Sequence, residues 1–222
     1  MELTWLGHGC VRIRAKEATV LTDPCDKSTG YSLGRPTADI VTVSIHDRGH
    51  DYVDGVAGSP RVIDGPGEFE ISGASIVGVT TYRGKEKQIE SGRNIAFIIE
   101  VEDMRIGHLG AIGHVPTSDQ VEEMSNVDVL LVPVGGGESL DAAPAAETVS
   151  LIEPRLVIPI HFKTDVEKMP LDPVDRFLKE MGAKAVEAQA KVSITRSSLP
   201  TETQALVLEI KRRADLFRRR PV

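Results

Sequence analysis

The chain has few of the features that mark secreted or membrane-spanning proteins. It contains only two cysteines, Cys10 and Cys25, which is too few for a disulfide framework, and their spacing does not match a zinc knuckle. We therefore expect two free, buried thiols in a cytoplasmic protein. No stretch approaches the ~18 consecutive apolar residues of a transmembrane helix, and residues 1–13 predict a β-strand rather than a signal peptide.

Acidic residues outnumber basic ones in the chain, except in one short segment at the C-terminal end. The net charge is −7 and the sequence pI is about 5.4, which argues against general binding to nucleic acids or to anionic membranes. In the segment 211–222, six Lys and Arg residues accompany only Asp215, so this segment carries +5 and leaves −12 on residues 1–210. We interpret this basic C-terminal tail as a solvated helix end. A small-molecule ligand is the predicted partner, and the formation of a homo-oligomer stays open.

The hydrophobic pattern predicts one α/β domain over residues 1–222, because 41% hydrophobic residues can build a substantial core. Short β-branched runs fill the first half, and strands alternate with helices in the second half. This order predicts two sheets packed face to face with helices outside them. The polar stretch Arg83–Arg93 is predicted to be an exposed loop. The predicted strands are Leu3–Trp5, Val11–Arg14, Thr19–Thr22, Ile40–Ser44, Arg61–Ile63, Phe69–Ile71, Ser75–Val79, Ile95–Glu100, Met104–His108, Val127–Val134, Leu156–Ile160 and Ala205–Lys211, and the predicted helices are Thr117–Met124, Ala142–Ile152 and Val174–Met181.

All six histidines lie in short segments next to glycines or at the ends of apolar runs. Histidine is the commonest metal ligand and titrates near neutral pH. Three predicted strands each deliver histidine to one end, which predicts a shared polar or metal site at a sheet edge. For each histidine alone, capping of a strand through backbone hydrogen bonds is the simpler interpretation. The three segments are IHDRGHD with His46 and His50, GHLGAIGH with His108 and His114, and IPIHF with His161.

The order of these motifs is similar to that of the metallo-β-lactamase fold. The matching segments run in order from residue 2 to about residue 165 and include TWLGHGC, TDPCD, GPGEFEISG, HLGAIGH, VDVLLVPVGGG and VIPIHFKT. They most resemble a short bacterial branch of zinc-dependent hydrolases related to the ascorbate-6-phosphate lactonases. The resemblance implies a four-layer αββα sandwich with the active site at one edge of the two sheets.

The resemblance also implies a set of metal ligands, most of which this chain replaces. The family pattern S-H-x-H-x-D-H lies on residues 44–50, with its first histidine on Ile45, its second on Asp47, its aspartate on Gly49 and its last histidine on His50. A slip of one residue would bring His46 into the first histidine position, and the sequence leaves that register open.

Three further ligand positions lie later in the chain. Arg83 occupies the position of the mid-chain histidine, Ala111 that of the metal-bridging aspartate, and the final histidine is retained as His161. Alanine has no donor atom, and a guanidinium would oppose a bound cation. We therefore predict that no dinuclear zinc centre forms and favour a metal-free pocket. The alternative is a single zinc ion held by His50, His161 and either His46 or Asp47.

Two functions follow from this interpretation. The favoured one is a diverged hydrolase homologue that binds a small anionic ligand in the ancestral cleft, with Arg83 as the cationic group. The alternative is a metal-dependent hydrolase with a rebuilt one-metal site that acts on an ester, a lactone or a phosphoester. No catalytic residue is assigned. The candidate pocket residues are His8, His46, Asp47, His50, Glu68, Arg83, His108, His114 and His161.

Overall fold

Two β-sheets form the frame of the protein. The computed structural model describes residues 1–84, 92–183 and 186–210. The strands of the first sheet are β1 (Glu2–Gly7), β2 (Cys10–Arg14), β3 (Thr19–Thr22), β4 (Ile40–Thr42), β5 (Arg61–Ile63) and β12 (Val192–Ser193). Their order across the sheet is β12-β1-β2-β3-β4-β5.

The strands of the second sheet are β6 (Gly67–Ile71), β7 (Ala74–Tyr82), β8 (Arg93–Val101), β9 (Met104–His108), β10 (Val129–Pro133), β11 (Leu156–Ile160) and β13 (Gln204–Ala205). Their order across the sheet is β13-β11-β10-β9-β8-β7-β6.

The two sheets share one hydrophobic core. Alternate residues of the first sheet, such as Leu3 and Val11, pack in one cluster with Ile76 and Phe97 of the second sheet. This arrangement follows from the period of two in a strand, which sends every second side chain to the same face. Strands β10 and β11 are buried along their whole length, as expected for parallel strands covered on both faces.

Each sheet is covered differently on its outer face. The helices are α1 (Ser118–Glu123), α2 (Ala142–Ile152) and α3 (Val174–Glu180), and α2 packs on β10 and α3. The outer face of the first sheet buries Leu21 and Val41 beneath Tyr31 and Val56. The segment that covers it contains two short 3-10 turns. No helix of the described residues is long and apolar enough to cross a membrane.

The fold predicted from the sequence, an α/β structure with two facing sheets, is confirmed. The strand predicted to end at Ser44 ends at Thr42 instead, because the backbone N–H of Ser44 donates to Asp23 Oδ1 at 2.7 Å and leaves the ladder. The prediction of a strand over Ala205–Lys211 was too long, since β13 includes only Gln204–Ala205. Residues 85–91 of the predicted polar loop, Lys211 at the end of the predicted last strand and the whole tail 211–222 lie outside the described residues.

Candidate metal centre

Three histidines meet where strands of the two sheets end. His8 follows β1, His161 follows β11, and His50 closes the loop after β4. The backbone N–H of His161 donates to the carbonyl of His8 at 3.0 Å, which fastens the edge of one sheet to the edge of the other. Both residues adopt left-handed backbone conformations, with φ of 53° and 52°, which is uncommon for a residue other than glycine and often marks a functional site.

The imidazoles of these three residues form a compact, buried cluster. One ring nitrogen of each lies within 4.8 Å of the corresponding atoms of the other two. The ring centroid of His8 lies 4.1 Å from that of His161 and 5.1 Å from that of His50. The residues are only 1–6% exposed. Such spacing groups three nitrogen donors around one small space, and three is the number that a catalytic zinc site takes from the protein.

A hydrogen bond fixes the tautomer of two of these imidazoles. His8 Nδ1 lies 2.9 Å from Glu167 Oε2, and His50 Nδ1 lies 2.7 Å from Asp47 Oδ1. An ionised carboxylate can only accept, so each Nδ1 must carry the proton and each neutral ring keeps its lone pair on Nε2. This carboxylate–histidine arrangement is the one that orients metal-binding histidines in proteins.

The third imidazole reaches the same tautomer through a hydroxyl. Ser139 Oγ lies 3.0 Å from His161 Nδ1 and donates its own proton to the carbonyl of Gly136 at 3.0 Å. With its proton on the Gly136 carbonyl, the Ser139 hydroxyl accepts from Nδ1 of His161. With these three hydrogen bonds at Nδ1, the nitrogen left to face the cluster is Nε2 of each ring, and Nε2 of His50 is buried without a hydrogen-bond partner in the described structure.

The surroundings of the cluster are negatively charged. Asp23 and Glu167 have side chains that are fully buried, and within the described residues neither has a Lys or Arg side chain in ion-pair contact. Asp47 is paired with Arg83, whose Nη1 lies 2.8 Å from Asp47 Oδ2. Buried carboxylates without a compensating cation are costly. A cation between the imidazoles would therefore be stabilised by these charges.

The pKa shifts of the histidines follow from burial and from their partners. Burial lowers the pKa of His8, against the opposing effect of its hydrogen bond to Glu167. Burial also lowers the pKa of His161 well below the ordinary value, and the neighbouring His8 and His50 lower it further. Burial is the largest effect on His50 and would lower its pKa too, but the hydrogen bond to Asp47 and the negative charges of Asp23 and Asp47 together raise the pKa. Neutral imidazoles at His8 and His161 are the form that binds metals.

Comparison with known proteins identifies the family. The profile of the beta-lactamase superfamily domain matches residues 2–161, more than two thirds of the chain. The chain belongs to the metallo-β-lactamase superfamily. A Thermotoga maritima protein, named as a candidate zinc-dependent hydrolase of this superfamily, has a crystal structure that aligns with a TM-score of 0.79 at 36% sequence identity, covering 95% of this chain and 99% of that one.

Curated relatives point to a narrower group within the superfamily. A UPF0173 protein of Pyrococcus furiosus is 26% identical over 214 residues, covering 84% of this chain and 93% of its own. A UPF0173 metal-dependent hydrolase of Natranaerobius thermophilus is 22% identical over 213 residues, covering 83% and 92%. The chain is thus similar to metal-dependent hydrolases over most of its length.

The structure brings together some of the predicted site residues and separates others. His50 and His161 lie in the cluster, as the single-metal alternative required, but the third member is His8. His46, predicted as a possible ligand, is 64% exposed and lies within 3.7 Å of the acidic side chains of Asp51 and Asp64. Asp47, the other predicted third ligand, is hydrogen-bonded to His50 Nδ1 and so orients the imidazole of His50.

The remaining candidate pocket residues lie outside the histidine cluster. Glu68 is exposed on strand β6. His108 is fully buried and bonds the carbonyl of Gly9 through Nε2 at 3.0 Å. His114 contacts backbone atoms, accepting from the N–H of Tyr82 through Nε2. The two last histidines therefore hold loops in this superfamily member, which was one of the interpretations of the sequence.

Gly49 explains how His8 can join the cluster. A Cβ atom at residue 49 would lie 3.0 Å from His8 Nε2 and 3.2 Å from Asp47 Oδ1. A side chain larger than that of glycine at this position would therefore crowd the imidazole of His8.

Two site residues gave no signal in the sequence. Glu167 lies beyond the segment matched to the superfamily, and Ser139 lies two residues after the glycine run at residues 135–137. Both act through hydrogen bonds to a histidine that is far away in the sequence, Glu167 to His8 and Ser139 to His161. Their only signal in the sequence was that a carboxylate and a hydroxyl lie in loops after buried strands. Such residues are too common in loops to be singled out.

Proposed function

We propose that the protein is a one-metal hydrolase whose single divalent ion, zinc, is held by His8, His50 and His161. The observation that carries the proposal is the convergence of three Nε2 lone pairs, with each Nδ1 committed to an acceptor. Three lone pairs that face one another repel unless a cation lies between them. Three histidines with a free fourth position form one of the known catalytic zinc sites.

The same residues argue against a second ion. Ala111 is buried and its backbone N–H donates to Asn94 Oδ1 at 2.8 Å, so this position offers no bridging carboxylate. The guanidinium of Arg83 lies between two carboxylates, 2.8 Å from Asp47 and 2.8 Å from Glu138. A fixed cation there would repel a metal ion. The altered ligand set inferred from the sequence is thus compatible with one ion and opposes two.

The chemistry divides between the ion and the chain. When bound, the ion would supply Lewis acidity at an open coordination position, which suits hydrolysis of an ester, a lactone or a phosphoester. Asp47, Glu167 and Ser139 hold the three rings in the metal-binding tautomer. The Asp47–Arg83 pair fixes the loop that carries His50. The burial of the rings limits access of bulk water to the ligands.

Metal analysis and a hydrolysis screen test this function. We expect elemental mass spectrometry of the purified protein to give one zinc ion per chain. Hydrolysis of a panel of p-nitrophenyl esters, lactones and bis(p-nitrophenyl) phosphate should stop on chelation and return with zinc. His161→Ala should abolish metal and activity, and His46→Ala, which changes an exposed histidine of the same loop region, should retain both. A wild-type protein without stoichiometric metal after zinc loading would refute the proposal.

A second candidate function is metal-free binding of a small anion, which a specific feature of Arg83 favours. Its Nε–H is buried and has no acceptor in the described structure, so an anionic ligand could accept from it. Against it, Asp47 and Glu138 already neutralise the guanidinium. Thermal-shift measurements on chelator-treated protein with phosphate and with carboxylic acids decide between the two. Stabilisation that is lost in Arg83→Lys would support anion binding, and its absence would remove this candidate.

A further inference from the structure

Glu167 lies beyond the superfamily segment and yet reaches the centre of the site. Its side chain is fully buried, and its Oε2 lies 2.9 Å from Nδ1 of His8, which is 159 positions earlier in the chain. A buried carboxylate is costly unless its oxygens are bonded. Here both are bonded, because Oε1 accepts the backbone N–H of Met169 at 2.9 Å. The carboxylate thus has a single orientation.

The segment that carries Glu167 is itself fastened to the opposite loop. The backbone N–H of Glu167 donates to Thr164 Oγ1 at 3.3 Å, and this hydroxyl is bonded to Tyr31 OH at 2.8 Å. The N–H of Lys168 donates to the carbonyl of Thr29 at 2.9 Å. This close approach needs a glycine at residue 30, where a Cβ atom would lie 1.8 Å from the carbonyl oxygen of Val166. These contacts hold residues 164–169 in place next to His8.

We propose that Glu167 is the positioning residue that makes His8 the third metal ligand. The inference rests on the proposed one-metal function and adds the reason why His8, rather than a carboxylate from the loop after β4, completes the set. His8 has no other partner for Nδ1 among the described hydrogen bonds. Removing the carboxylate would free the ring to rotate and to move its proton to Nε2, which would block metal binding.

A purely structural role for Glu167 predicts a different outcome. A buried ion pair or hydrogen bond that only supports the fold would lower the stability of the protein and leave the metal affinity of the folded fraction unchanged. A positioning role changes metal affinity, and only while His8 is present to be positioned. The two roles therefore separate in a double-mutant cycle between Glu167 and His8.

The experiment measures zinc affinity by competition with a chromophoric chelator. The proteins compared are the wild type, Glu167→Gln, His8→Ala and the double variant, with Glu138→Gln as a control that removes an exposed carboxylate bonded to Arg83 rather than to a histidine. We expect Glu167→Gln to weaken zinc binding by about 10- to 100-fold, the usual effect of losing such a partner. It should have no further effect in the His8→Ala background, and Glu138→Gln should bind as the wild type does.

A second measurement keeps the test independent of metal and of folding yield. Long-range ¹H–¹⁵N NMR of the metal-free protein should show a proton on Nδ1 of His8 in the wild type and a changed tautomer in Glu167→Gln. Unchanged zinc affinity in Glu167→Gln, or an equal loss in both backgrounds, would refute the positioning role alone. A wild-type protein that binds no zinc would refute the proposed function and this inference together.

Discussion

Two buried histidine sites lie close together in this protein and differ in one chemical detail. In the cluster of His8, His50 and His161, every Nδ1 is bonded to an acceptor and Nε2 faces the other rings. At His108 the roles are reversed, because Nε2 donates to the carbonyl of Gly9 and Nδ1 is left without a partner. Burial alone therefore does not distinguish a candidate metal ligand from a structural histidine. The two are distinguished by which ring nitrogen is left without a hydrogen bond and by the groups that this nitrogen faces.

The largest expected effect tests the first half of this comparison. His50→Ala removes one of three converging donors, so zinc affinity should fall by more than about 100-fold, beyond the usual cost of losing a supporting partner. Equilibrium dialysis with elemental analysis measures the change. His108→Leu is the matched control, since it removes an equally buried histidine and should keep one zinc per chain. Loss of zinc in both variants would show that the clustered histidines and His108 do not differ in their effect on metal binding.

The second prediction concerns the stability that His108 provides. His108→Leu leaves the buried carbonyl of Gly9 without its imidazole partner and should lower the free energy of unfolding by about 1–3 kcal/mol. The effect should lie at the low end, because Thr22 Oγ1 also donates to this carbonyl at 3.1 Å. Urea unfolding monitored by circular dichroism measures it. An unchanged free energy of unfolding would mean that the hydrogen bond of His108 to Gly9 does not stabilise the fold.

The third prediction tests whether space at residue 49 is needed for His8. The methyl group of Gly49→Ala would lie 3.0 Å from His8 Nε2, and we expect it to weaken zinc binding about 10-fold by displacing the ring. Gly65→Ala is the control, since a Cβ there meets nothing within 4 Å. Zinc titration of both variants decides the point, and equal affinities would show that the loop gives way without cost.

The smallest expected effect is the pH dependence of the metal-free protein. The lowered pKa values of His8 and His161 mean that the unfolded chain binds more protons than the folded one below about pH 6.5, so stability falls as the pH drops through that region. His50 acts oppositely, because its raised pKa makes a contribution that is present at low pH and lost as the pH rises through that pKa. Burial also lowers the pKa of His108, which therefore acts in the same direction as His8 and His161. Three groups against one should give a net loss of stability between pH 7 and 5. Urea unfolding in a chelator measures it, and higher stability at pH 5 would contradict it.

The sequence was sufficient for the parts of the molecule that depend on local pattern. Alternating and continuous apolar runs predicted most strands of both sheets. His50 and His161 follow two of those runs and lie near each other in the structure. The two cysteines are free and buried, as expected. Burial raises the pKa of the Cys25 thiol to about 11, so it has little thiolate at neutral pH.

The missing parts depend on contacts between distant residues. His8 was included in the pocket, but its position in the histidine cluster depends on the space above Gly49 and on the carboxylate of Glu167. No period or spacing in the chain expresses that contact. The two-residue strands β12 and β13 were missed or overextended for a similar reason, since they are defined by the neighbours β1 and β11 rather than by their own pattern.

Anomalous diffraction at the zinc absorption edge, on crystals grown with equimolar zinc, would show whether a single ion lies between the three histidines. We expect one peak per chain, surrounded by Nε2 of His8, His50 and His161 at about 2.0–2.1 Å. Two peaks, or one peak whose ligands include His46 or Asp47 in place of His8, would contradict the account. So would the absence of any peak between the three imidazoles.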